Sequence, residues 1–241
     1  MFHNIELKEG AFLLGDAHYS HKRLELLDFL EAIYSKKLLP TQLIFMGDIF
    51  DTLFGKVAVT IEDNKEAIKL INKIAQDIEV VYLEGNHDFN LKDIFTNVKV
   101  VRLLEQPFKC TYDDKTIYLA HGDSNIGFWY KIYSLFIRNP FIVYILNMIN
   151  NLFSNIIINK LDDYLAKKDD CNDFKEFEQY IGKRLDGRYR CDYFVEGHYH
   201  QNKIIEFKNF KYINLAAFAC NQRYFIVNSC KDIKLLEEKS F

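Results

Sequence analysis

Hydrophobic residues in this chain fall into short runs, and most of these runs stop at a glycine or at an acidic, amide or imidazole side chain. Ala11-Phe12-Leu13-Leu14, Leu43-Ile44-Phe45-Met46, Val80-Val81-Tyr82-Leu83, Ile117-Tyr118-Leu119-Ala120 and Tyr193-Phe194-Val195 have the length and the punctuation of buried strands. Between them the apolar period lengthens to that of a helix. Leu24, Leu27, Leu30 and Ile33 share one side of a helix predicted over His21 to Leu38, and Ala67, Ile68, Ile71 and Ile74 share one side of a second over Ile61 to Ile74. Further strands are predicted near Val98 to Leu103, Pro107 to Tyr112, Thr116 to Ala120, Lys203 to Phe207, Lys211 to Leu215 and Tyr224 to Asn228. Strands alternating with helices and then following one another directly describe an α/β chain.

A long interval, about 128 to 190, interrupts the strand series and reads as helix. Its first half is rich in aromatic and aliphatic residues, and Asn139 to Asn159 carries no charge. That length could suggest a membrane span, but six asparagines are costly in hydrocarbon. Asn147, Asn150, Asn151 and Ser154 fall on one helical face, with Phe141, Tyr144, Ile145, Met148, Ile149, Leu152 and Ile156 on the other. The pattern predicts an amphipathic helix whose apolar face packs on its neighbours, lines a chamber for acyl chains, or docks on a membrane surface beside Lys131 and Arg138. An insertion at this place serves as a lid over a site. Later cations, Lys167-Lys168, Lys183-Arg184, Arg188 and Arg190, read as a solvated face. Lys183, Arg184 or Arg188 would hold an anionic group only if turned inward.

The chemistry sits where the strands end. Asp16-Ala17-His18, Gly47-Asp48-Ile49-Phe50-Asp51, Gly85-Asn86-His87-Asp88, His121-Gly122-Asp123 and Gly197-His198-Tyr199-His200 each follow one of the runs above. Open α/β sheets place their chemistry beyond the carboxyl ends of their strands. The donors Asp16, His18, Asp48, Asn86, His121, His198 and His200 supply three or four per ion for two ions, if one carboxylate bridges. Mixed imidazole, carboxylate and amide oxygen suits manganese, iron or zinc better than calcium or magnesium. Two such ions about 3.5–4 Å apart clamp the attacking and leaving oxygens of a phosphoester displacement.

In these motifs the chain resembles the calcineurin-like metallophosphoesterases, whose pattern DxH, GDxxD, GNH[D/E], a lone His and GHxH is present throughout. The resemblance implies a two-sheet sandwich flanked by helices and interrupted by the helical lid. It implies one ion on Asp16, His18, Asp48 and His200 and another on Asp48, Asn86, His121 and His198, with Asp48 as the catalytic bridge. His87 would stay off the metals and either protonate the leaving oxygen or stabilise the phosphoryl charge, while Asp51, Asp88 and Asp123 would orient the ligand imidazoles. The length and the apolar lid look closer still to the UDP-2,3-diacylglucosamine pyrophosphohydrolases of lipid A biosynthesis, peripheral inner-membrane enzymes that usually use manganese. That similarity implies a lipid-linked nucleotide as substrate, cleaved to UMP and 2,3-diacylglucosamine 1-phosphate. The best-known branch carries Arg where this chain has His87, which marks a divergent branch. The alternatives are a phosphatase or phosphodiesterase on soluble nucleotides or phosphoproteins, and an adaptor without turnover.

Composition agrees. The 241 residues, 49% hydrophobic and 27% charged, can bury one core and predict one domain over 1–241. A net charge of −3 offers no general attraction to nucleic acid. Cys110, Cys171, Cys191, Cys220 and Cys230 form no C-x-x-C pair and read as reduced thiols. With no secretory leader pattern, a cytoplasmic protein is expected, peripheral on the inner membrane if the lid docks there.

Overall fold

The computed structural model describes residues 5–124, 126–228 and 234–241. In chain order its elements are β1 (Ile5–Glu6), β2 (Phe12–Leu14), α1 (Glu25–Tyr34), β3 (Gln42–Phe45), β4 (Leu53–Phe54), α2 (Ala58–Asp63), α3 (Lys65–Asp77), β5 (Glu79–Leu83), β6 (Asp88–Phe89), β7 (Val98–Val101), β8 (Phe108–Tyr112) and β9 (Lys115–Ala120). Four helices then intervene, α4 (Phe128–Ile137), α5 (Pro140–Leu152), α6 (Ile156–Leu165) and α7 (Phe177–Leu185). The chain continues through β10 (Tyr193–Glu196), β11 (Lys203–Glu206), β12 (Lys211–Asn214), α8 (Phe218–Asn221), β13 (Arg223–Val227) and β14 (Leu236–Ser240).

Two six-stranded sheets face each other, ordered β14-β13-β2-β3-β5-β7 and β1-β8-β9-β10-β12-β11. Neighbours β2, β3, β5 and β7 are parallel, as are β9, β10 and β12, so the ends that carry the motifs lie together. Side chains alternate across each strand. Leu13, Ile44, Val81 and Leu83 point between the sheets with Leu119, Val195 and Ile213. Phe12, Leu14, Leu43, Phe45 and Tyr82 point outward under Leu26, Phe29 and Leu30 of α1 and Ile71 of α3. On the far side Phe194 and Tyr212 meet Phe177, Ile181 and Leu185 of α7. Burial on both faces explains why these strands read as continuous apolar runs.

The helix predicted over Ile61 to Ile74 is broken at Asn64, whose amide donates to the Thr52 and Thr60 carbonyls at 2.9 and 2.7 Å, separating α2 from α3. The helix predicted over His21 to Leu38 is trimmed to α1 by the Ser20 to Arg23 turn before it and the left-handed Lys36 after it.

The uncharged stretch from Asn139 to Asn159 departs most from its reading. It is two helices, because Ser154 and Asn155 adopt positive φ, and Asn150 caps the second by accepting from the Ile157 and Ile158 amides at 3.1 and 3.2 Å. That task turns Asn150 inward, while Asn151 and Ser154 of the same face stay exposed and most of the apolar face points out. Val143 and Asn150 are buried, whereas Phe141, Tyr144 and Leu152 are 68%, 63% and 76% exposed. Among the described residues no single helix is long and apolar enough to cross a bilayer, and α4 and α5 together are bent by 61°.

The reading of all cysteines as reduced thiols is corrected at two positions: Cys171 and Cys220, 49 residues apart, form a disulfide. Cys110 and Cys191 are free thiols, and Cys230 lies outside the described residues.

Candidate metal centre

Each sheet contributes part of one cluster. Asp16 and His18 follow β2, Asp48 follows β3 and Asn86 follows β5, while His121 follows β9 and His198 and His200 follow β10. Asp16, His18, Asp48, His198 and His200 all take left-handed backbone conformations, which cost a non-glycine residue about 1 kcal/mol or more each and persist where the surroundings hold them. The motif glycines act through size. A Cβ on Gly47 would overlap the His121 imidazole, and one on Gly197 would overlap the Asp16 carboxylate.

The donor atoms of Asp16, His18 and His200 lie within 4.8 Å of one another, as do those of Asp48, His121 and His198. His200 Nε2 is 3.1 Å from Asp16 Oδ1. His121 Nε2 is 3.2 Å from Asp48 Oδ2 and 3.3 Å from Asn86 Oδ1. All seven predicted donors are thereby brought to one place. His87 stands beside them with its Nε2 3.9 Å from Asp48 Oδ2, its Nδ1 donating to the Asp51 carbonyl at 2.9 Å. With His18 and Asp51 it makes a third close group of donor atoms.

The arrangement fits cations. His18 donates its Nδ1 proton to Asp51 at 3.1 Å, which leaves its buried Nε2 without a hydrogen-bond partner among the described residues. Burial opposes the charge on Asp48, yet the His121 and His87 imidazoles hold its carboxyl well below the usual range. Burial likewise opposes the charge on His121, and Asp48 raises it well above the ordinary imidazole value. Burial, helped by His121, pushes His198 down to about 3, so it offers a neutral ring with a free lone pair. The carboxylates need compensating positive charge, and divalent ions held by Asp16, His18, Asp48, Asn86, His121, His198 and His200 would supply it.

Of the three carboxylates expected to orient imidazoles, only Asp51 touches one. Asp88 accepts from the backbone amides of Asp48, Ile49, Phe50 and Gly85 and from the Tyr82 hydroxyl, so it clamps the metal-side loops together. Asp123 accepts from Tyr130 and Arg138 of the helical interval, at 3.2 and 3.3 Å. Arg138, which one of the three readings of the helical interval set beside a membrane, is turned in and donates to the Gly85 carbonyl at 2.9 Å.

Arg184 does turn inward, but toward protein. It pairs with buried Glu196 and donates to the Gly122 carbonyl at 3.0 Å, bracing the loop after His121. Lys183 and Arg188 stay exposed. Sequence reasoning missed Glu196 and Tyr212, which complete this network. A Glu in an otherwise apolar strand end, Tyr193-Phe194-Val195-Glu196, was the available signal.

Residues 12–202 match the family described as calcineurin-like phosphoesterase. The chain belongs to that family. It is a metal-dependent phosphoester hydrolase on a mixed α/β fold of two sheets flanked by helices. Among curated proteins, this phosphoesterase is 25% identical over 214 residues to UDP-2,3-diacylglucosamine hydrolase of Wigglesworthia glossinidia brevipalpis, covering 84% of each chain. It is 28% identical over 120 residues to the protein of that name in Haemophilus influenzae, covering 47% of this chain and 48% of the relative. Among solved structures, an archaeal phosphodiesterase aligns at 15% identity over 96% of this chain and 99% of that chain, with a TM-score of 0.47.

Proposed function

We propose that this phosphoesterase cleaves the pyrophosphate of UDP-2,3-diacylglucosamine, releasing UMP and 2,3-diacylglucosamine 1-phosphate, with two divalent ions, manganese foremost. One observation carries the reading. A cavity of about 430 Å³ opens beside Asn86 and His87 and runs between Phe54 and Phe89 of the core and Val143, Ile158 and Leu161 of the helical interval. Its walls are mainly apolar, so it offers acyl chains a dry place to lie while a phosphate waits at the cluster. The names of the relatives at 25% and 28% identity support the same substrate.

Bound divalent ions supply Lewis acidity and activate water at neutral pH. The protein's own part is orientation. Asp48 belongs to the group with His121 and His198, lies within 3.9 Å of His87 Nε2, and would be the residue to bridge the two groups. His87, its Nδ1 tied to Asp51, keeps Nε2 free for the oxygen that leaves. Phe128, Trp129, Phe141, Tyr144 and Leu152 present an exposed apolar surface on the same helices that wall the cavity, and this surface rests on the cytoplasmic face of the inner membrane, from which acyl chains enter.

The test is UMP release from UDP-2,3-diacylglucosamine in mild detergent by manganese-loaded protein, with UDP-N-acetylglucosamine as control. Cleavage of the acylated compound alone supports the proposal. Hydrolysis of bis-p-nitrophenyl phosphate without cleavage of the acylated compound overturns it in favour of a soluble substrate.

A further inference from the structure

The loop between α6 and α7 reaches the metal centre at one point, and that point is tied down on several sides. The Asp170 carbonyl accepts from His200 Nδ1 at 2.5 Å. The Asp170 carboxylate, its side chain only 4% exposed, pairs with Arg23 at 2.7 Å and with Lys168 at 3.3 Å. The next residue, Cys171, is joined to Cys220 of α8. The α8 segment is itself seated on the centre, since the Phe218 and Ala219 amides donate to the Gly15 and Asp16 carbonyls, each at 3.0 Å.

The disulfide therefore connects the segment that holds His200 to the segment that holds Asp16. Those two residues and His18 form one donor group. The other group, Asp48, His121 and His198, is anchored chiefly elsewhere: His121 Nδ1 donates to the Met46 carbonyl at 3.0 Å, on β3's own extension, and His198 meets the first group through its backbone amide, which donates to the Asp16 carboxylate at 3.0 Å.

We propose that Asp170 is a positioning residue for His200, that the Cys171–Cys220 disulfide clamps it in place, and that ion binding at Asp16, His18 and His200 consequently depends on thiol state, while binding at Asp48, His121 and His198 does not. An acceptor on Nδ1 fixes the tautomer that leaves Nε2 free to ligate, and loss of such an acceptor commonly costs about 10–100-fold in metal affinity. Without the disulfide the loop regains the freedom that a 49-residue closure removes. Cys171 is exposed and open to attack. A dithiol reductant would add one sulfur to form a mixed disulfide and release one protein thiol. Its second sulfur would then close the reductant's own ring and release the other, with two electrons and two protons passing to the cysteines.

The inference rests on the cluster being a metal centre, and the experiment keeps the two apart. Full-length protein is titrated with manganese by calorimetry in three forms: oxidised, reduced with dithiothreitol and desalted without air, and as the Cys171→Ser, Cys220→Ser double variant. The expected result is two ions on the oxidised protein. Reduced and double-variant protein should keep one ion at unchanged affinity and bind the other 10–100-fold more weakly, with dithiothreitol having no effect on the double variant. Arg23→Gln, which loosens Asp170 without touching a cysteine, should weaken the same ion. Equal binding of two ions in every form overturns the proposal, as does equal weakening of both. Failure of the oxidised protein to bind any ion would overturn the metal centre itself.

Discussion

His87 and Asp51 are joined by a hydrogen bond from the imidazole Nδ1 to the backbone oxygen, 2.9 Å long. The same Asp51 holds His18 through its carboxylate at 3.1 Å, so one residue aims both a ring of the donor cluster and a ring set beside that cluster. His87→Ala should therefore keep its full complement of metal and lose about 10²–10⁴-fold in kcat, the usual contribution of a placed proton donor. Metal content by emission spectroscopy alongside kcat is the measurement, and turnover near that of the parent would dismiss the assigned role. Asp48→Ala, by contrast, should lose metal and activity together.

Arg184 and Glu196 form a buried pair that braces the loop after His121. Arg184→Met leaves the Glu196 carboxylate in the core without its counter-charge, which typically costs about 3–5 kcal/mol. Urea denaturation should show that loss, and removing both partners as Arg184→Met with Glu196→Met should recover most of it. A double variant as unstable as the single one would mean that Glu196 was not what suffered.

Cavity wall and exposed surface can be separated by mutation. Leu161 lines the cavity, and Leu161→Trp should lower kcat/KM about tenfold or more for acylated substrate while sparing bis-p-nitrophenyl phosphate. Phe141 is exposed, and Phe141→Ser should leave hydrolysis in detergent alone but reduce partition onto anionic vesicles about tenfold, the worth of one large apolar side chain. Sedimentation with vesicles measures the second effect. The reverse pattern would exchange the two assignments.

Glu84 offers a pH signature. Burial pushes its carboxyl from 4.5 up to about 7, against the Leu91 amide and the Arg138 charge that favour ionisation. Between those two values the unfolded chain gives up a proton that the folded chain keeps, so stability falls as pH rises through that window and levels off above it. The loss amounts to about 3 kcal/mol at most. Thermal melts from pH 5 to 8 should show it in full in the parent and reduced in Glu84→Gln, where Asp88, which burial also pushes up to about 7, still titrates. Parallel curves for the two proteins would remove Glu84 as the cause.

Strand ends were legible because sheets buried on both faces leave long apolar runs whose punctuation is unmistakable: Phe12, Leu13 and Leu14 are all buried, and Asp16 follows at once. The sites of interruption were harder. Nothing in the periodicity of Asn139 to Asn159 tells that Asn150 will spend its side chain capping the next helix, a choice that buries Asn150 and leaves Phe141, Tyr144 and Leu152 exposed. Asp88 and Asp123 share motifs with ligands but serve loops and helices, since spacing shows proximity to a site and not the direction of a carboxylate. The Cys171–Cys220 link, spanning 49 residues with no local pattern, could only emerge from the folded chain. The short closing strand β14 was missed because Glu237, Glu238 and Lys239 give an edge strand polar on its exposed side.

The cluster draws Asp16, His18, Asp48 and Asn86 from one sheet and His121, His198 and His200 from the other. Cations bound there would rivet the two halves of the molecule together, and any ligand that favours the folded state raises its stability in proportion to the logarithm of its concentration. Starvation for the cation would then reach this phosphoesterase twice, first by silencing it and next by loosening the seam between its sheets, so that cellular supply would govern how long each copy survives proteolysis as well as how fast it works.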